Sequence, residues 1–200
     1  MQMDKSDTKG EGRKPHRRGL LLGLLPVLLA GKADWALASV SAFEDGAGRP
    51  AVRKLRQSGA DFDRVLKVAT QIWGVLGRPQ ETLVVGMIDT KGVRAEVTSA
   101  GRLWMTTGFL EACQLEAELA VWLSQRAGAI ETKASGEALD RIALETLLAA
   151  GYDPRAVVSL WGRWAASKSL RNSSGFADLP LSPVRLARLR AQIEKLGYLV

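Results

Sequence analysis

Side chains able to do acid–base, nucleophilic or metal chemistry are scarce in this sequence. His16 is the one histidine and Cys113 the one cysteine among 200 residues. Imidazole is the usual general base near neutral pH, and imidazole and thiolate are the usual zinc ligands. Counting alone therefore nearly excludes a zinc centre held by this chain, and no cofactor or metal is expected. A serine such as Ser124, beside Gln125, has no histidine nearby to activate it, and a Ser–Lys arrangement cannot be seen from spacing. Cys113 cannot close an intrachain disulfide and reads as a small buried hydrophobe.

These residues need a scaffold, and the composition supplies one. Apolar residues make up 46% and charged residues 24%, the balance of a globular protein with a sizeable core. The net charge is +7. Residues 1–38 hold seven basic and four acidic side chains, so the rest of the chain carries only +4. No basic run interleaved with aromatics occurs there, and no nucleic-acid partner is expected.

The first 38 residues read as an address. A polar, basic stretch over 1–18 leads into an apolar run over 19–31, followed by Ala36-Leu37-Ala38. That order is a secretory signal with a small-residue cleavage site after Ala38. The run is shorter than the roughly 20 residues of a comfortable membrane span. Arg17-Arg18 before the run also resembles a twin-arginine signal, and the twin-arginine and general secretory routes both stay open. The expected location is periplasmic or otherwise exported, or the inner membrane if the signal stays uncut as an anchor. Residues 39–60 read as a linker and 61–200 as the domain.

Within that domain the patterning predicts a helix from Asp61, with Phe62, Val65, Leu66, Ala69, Ile72 and Val75 on one face, ending at Gly77-Arg78-Pro79. Thr82 to Ile88 reads as a buried strand, and Arg94–Ser99 with Arg102–Thr106 as a β-hairpin. A short helix around Phe109 follows, then helices over Leu115–Ile130 and Glu137–Ala150, the latter stopped by Gly151. Asp153-Pro154 and Ser182-Pro183 are cap-plus-proline starts for two more helices, with a loop over 168–181 between them.

Several short motifs recur in a definite order. Gly101-Arg102-Leu103-Trp104-Met105-Thr106-Thr107-Gly108-Phe109-Leu110 is a hairpin strand entering a Thr-Gly step. Glu118-Leu119-Ala120 opens the long helix. Ala149-Ala150-Gly151-Tyr152-Asp153-Pro154, Trp161, Pro180 and Arg185 come after it. Taken together, residues 60–195 resemble the HtpX- and BepA-like zinc metalloendopeptidases, metallopeptidase family forty-eight, which includes the CAAX prenyl proteases. The resemblance implies an α+β, mainly helical fold: a zincin-like scaffold with a small sheet and hairpin followed by four to five helices.

The same resemblance locates the chemistry and shows it replaced. The family places H-E-x-x-H on the long helix, where histidines one turn apart hold zinc and the glutamate is the base. The aligned residues are Gln125-Arg126-Ala127-Gly128-Ala129. Gln125 is a poor zinc ligand, Ala129 is none, and Arg126 cannot accept a proton. The third ligand, a glutamate four residues before an aspartate, becomes Gly136 ahead of Asp140; Glu137 lies one residue, about 100° of helix rotation, away. A later histidine becomes Leu179, and only Glu131–Ser135 stands where the family carries a long insert.

The expected function is thus an exported, non-catalytic pseudopeptidase that binds a peptide or protein, such as an active paralogue or an unfolded envelope protein. An extended peptide would add along the hairpin edge, Arg94–Thr106, with Gln125, Arg126, Ala129 and Trp122 flooring or bordering the groove. A functioning metalloendopeptidase is disfavoured by the ligand count. A structural subunit using its outer surface, with Trp161 or Trp164 as anchors, is the third reading.

Overall fold

The computed structural model describes residues 55–171 and 182–200. The signal and cleavage site over 1–38 and the Leu179 position lie outside them. The described chain is α+β and mainly helical. Its elements are β1 (Leu55–Arg56), α1 (Ala60–Val75), a 3-10 turn (Gln80–Thr82), β2 (Val84–Ile88), β3 (Ala95–Val97) and β4 (Arg102–Thr106). Then come α2 (Thr107–Ala112), α3 (Glu116–Thr132), α4 (Gly136–Ala149), α5 (Arg155–Ala166), α6 (Lys168–Arg171) and α7 (Pro183–Lys195). Among the described residues, no helix is long and apolar enough to cross a membrane.

Helix α1 forms for reasons visible in its sequence. Asp61 and Asp63 in its first turn favour the positive end of the helix dipole. Val65, Val68, Ala69, Ile72 and Trp73 recur at helical spacing and are all buried. At its end, Arg78 N donates to Trp73 O at 3.0 Å, satisfying a terminal carbonyl.

The sheet runs β1-β2-β4-β3. Strands β2 and β4 are parallel neighbours, whereas β3 pairs antiparallel with β4 as the expected hairpin. Both central strands are buried over their last four residues, hence their near-continuous apolar runs. The expected linker over 39–60 is corrected at its end: Leu55–Arg56 pairs antiparallel with Ile88 and Met87 as an edge strand. A two-residue strand carries too little alternation to be read from sequence.

The step from sheet to helices is pinned by two threonines and a glycine. Thr106 Oγ1 accepts from Phe109 N at 3.1 Å and donates to Gly92 O at 2.5 Å, capping α2 and holding the preceding loop. Thr107 Oγ1 donates to Thr90 O at 2.9 Å. A Cβ on Gly108 would stand 2.2 Å from the Lys91 carbonyl oxygen, so only glycine lets loop and helix approach this closely.

Helix α3 is the central element, buried over Glu118–Gln125 and again at Ala127 and Gly128. An aromatic core packs beside it. Phe109 meets Trp122 edge-on at 4.8 Å and Trp164 at 5.6 Å, and Trp161 meets Trp164 at 5.5 Å. Each such pair adds about 0.5–1.5 kcal/mol beyond its burial. Helix α7 starts as read: Ser182 Oγ accepts from Arg185 N at 3.2 Å, with Pro183 in the first turn. Asp153 caps α5 through Arg155 N at 2.9 Å, and Pro154 after it already has helical backbone angles, as read. Part of the expected 168–181 loop forms the single turn α6.

Candidate functional site

One expected ligand position, Gln125, belongs to a closed polar cluster with two residues that the resemblance retains, Asp140 and Arg185. Gln125 comes from α3, Asp140 from α4 and Arg185 from α7. Arg185 forks onto the Asp140 carboxylate, with Nε to Oδ2 at 2.5 Å and Nη2 to Oδ1 at 2.7 Å. Gln125 Nε2 donates to Asp140 Oδ1 at 2.9 Å. Arg185 Nη2 also donates to the Gly136 carbonyl at 3.1 Å. Asp140 is 2% exposed and Gln125 3% exposed. A buried carboxylate persists only when paired and hydrogen-bonded, and this one is both. Three helices are thereby cross-linked by one charged group.

The surrounding positions do not fit zinc. Gln125 offers only a neutral amide oxygen, a poor zinc ligand, Ala129 has no donor atom, and Gly136 contributes only a carbonyl already bonded to Arg185. Glu137, one position off the expected ligand, instead pairs with Arg188 at 2.9 Å on the surface. The nearby carboxylate, Asp140, is already neutralised by a guanidinium. Among the described residues, no three His, Cys, Asp or Glu side chains gather as a metal set.

The other predicted site residues divide. Arg126 is partly exposed and makes no hydrogen bond or ion pair among the described residues. Ala129 is half-buried on the same helix. Trp122 is corrected from groove floor to core: it is 0% exposed and packed on Phe109. Trp161 and Trp164 are likewise fully buried, so neither is a surface anchor. Their i, i+3 spacing is what core packing produces on one helix face. Ser124 is sealed, and its hydroxyl has no hydrogen-bond partner. Burial pushes the Cys113 thiol well above its usual range, with the Glu118 charge adding to it, which makes it a poor nucleophile.

A second charged centre escaped the sequence reading. Glu118, 1% exposed, accepts from Ser159 Oγ at 2.8 Å, from Arg163 at 2.8 and 2.7 Å, and from Leu115 N at 3.3 Å. Arg163 Nη2 also donates to Ala112 O at 2.9 Å. Burial works against the Glu118 charge, but the bonds from Arg163 and Ser159 outweigh it and hold the carboxyl below its usual range. The signal was present in Glu118-Leu119-Ala120, an acid inside an apolar run, although its partner lies 45 residues away.

Strand β3 is the outer strand of the described sheet. Thr106 N donates to Arg94 O and Thr98 N to Arg102 O, both at 2.9 Å. Alternation along an antiparallel pair then turns the backbone N–H and C=O of Ala95 and Val97 outward. The Ala95 side chain is buried while Glu96 is exposed. This edge can accept one more strand. No family model and no curated protein matches the chain.

Proposed function

We propose that this chain is an exported, non-catalytic pseudopeptidase on a metallopeptidase-like scaffold, which binds a peptide or protein partner in the cell envelope. One observation carries the reading: Gln125, where the resemblance puts a zinc-binding histidine, instead gives its amide nitrogen to a buried Asp140–Arg185 ion pair. A site built for hydrolysis needs an open ligand position and an acceptor for a proton. Here the Asp140 carboxylate is committed to Arg185 and Gln125, and Arg126 occupies the base position. The scaffold-forming features, namely the Thr106-Thr107-Gly108 step, the caps and α3, are intact.

The binding element in this reading is the β3 edge. Backbone groups of Ala95 and Val97 supply hydrogen bonds to an extended segment, and Arg126 supplies a positive charge. The test is affinity co-purification of the full chain, tagged at its C-terminus, from the cell envelope, read by mass spectrometry. A single partner at near-equal amount makes the protein a dedicated subunit or regulator. A spread of unfolded polypeptides makes it a chaperone-like binder. Recovery of neither, together with cleavage of peptide substrates by the purified chain, overturns the proposal.

A further inference from the structure

Beside the polar cluster lies a void of about 10 Å³, lined by Gln125 and Asp140 and by apolar side chains including Val121, Leu144, Leu147 and Leu189. That is close to one water-sized probe and too small for any larger ligand. Gln125 lines it, and its Oε1 is buried with no hydrogen-bond partner among the described residues. The orientation of the amide is not free. Were it reversed, Oε1 would face the Asp140 carboxylate, placing two acceptors in contact and losing the 2.9 Å bond from Nε2. The same fixed orientation that serves Asp140 therefore leaves a buried carbonyl oxygen without a partner on a residue that lines the void.

We propose that one water molecule is bound in this void, donating to Gln125 Oε1 and to the Asp140 carboxylate. The unsatisfied capacity beside the void is on acceptors, Gln125 Oε1 and the Asp140 carboxylate, so an occupant that completes both must donate twice. Water and ammonium meet that demand at this size. The Arg185 guanidinium already neutralises Asp140 through two bonds, which removes the reason for a second cation and selects water. Asp140 Oδ2 accepts only from Arg185 Nε among the described residues and keeps a lone pair for the second bond. Buried water of this kind completes polar groups that the fold itself leaves unsatisfied. Gln125 thus binds in two directions, holding the ion pair with its nitrogen and the water with its oxygen.

The test is oxygen-17 magnetic relaxation dispersion on the full chain and on Gln125→Met, which keeps the length of the side chain but has no carbonyl. The expected result is a long-lived internal water in the wild type that disappears in the variant. Identical dispersion in the two proteins overturns the proposal, as does an ammonium occupant, which gives no water signal. If Gln125→Met fails to fold, a high-resolution crystal structure of the wild type grown without ammonium decides. Density within hydrogen-bonding distance of Gln125 Oε1 supports the water, and an empty void overturns it.

Discussion

Arg185 and Asp140, 45 residues apart in sequence, form a two-pronged ion pair with contacts of 2.5 and 2.7 Å. It joins the last described helix to α4. Because Asp140 is buried and Arg185 only slightly exposed, solvent screens the pair weakly.

Arg185→Leu should therefore leave a buried carboxylate unpaired and lower stability by about 3–5 kcal/mol. Gln125→Leu removes one bond to the same carboxylate and should cost about 1.5–3 kcal/mol. Because both act on Asp140, the double variant should deviate from the sum of the two. Urea denaturation of the four proteins measures this; simple additivity would show that the three residues are not one unit.

The fold should be indifferent to zinc. Chelation with EDTA or addition of zinc at moderate excess should leave the thermal midpoint unchanged, because Asp140 links α4 to α7 through Arg185 and to α3 through Gln125. A midpoint that falls in EDTA and returns with zinc would contradict the ligand assignment.

Acid should weaken the protein partly through Glu118. Its carboxyl is held below the usual value of 4.5 in the folded state, so the folded protein binds the proton less readily than the unfolded chain. The stabilisation is complete above the unfolded value and is lost as pH falls through the lower folded value. Glu118→Gln should cost about 2–3 kcal/mol at neutral pH. It should also flatten the decline of stability below pH about 4.5, as read from urea midpoints across the acid range.

Strand addition at β3 can be blocked with little damage to the ladder. The Val97 N–H faces outward by alternation from Thr98 and Arg94, so proline there removes a donor that β4 does not use. Val97→Pro should abolish capture of the partner found by co-purification while lowering stability by less than about 2 kcal/mol. Arg126→Ala should weaken capture without abolishing it. Unchanged binding in both variants would move the interface to another surface.

Much of the local structure was legible because its causes are local. The stripe of α1, the Ser182-Pro183 start of α7 and the hairpin around Gly101 each depend on residues a few positions apart. The site was legible only in the negative. One histidine and one cysteine nearly exclude an ordinary zinc set, whatever the fold. Spacing leaves Trp122 open between a groove and the core, and Trp161 and Trp164 between a surface and the core, because it says which residues share a face but not what covers that face; all three are core.

What the sequence determined by itself was therefore the inventory and the local elements: which chemistries lack their atoms, where helices start and stop, and which segments are strands. Tertiary structure alone decided that β2 lies parallel to β4, that Glu118 meets Arg163, and that Gln125, Asp140 and Arg185 close on one another. Each of these joins residues from separate elements. Their meeting depends on how whole faces pack, which no local pattern of apolar and polar residues encodes.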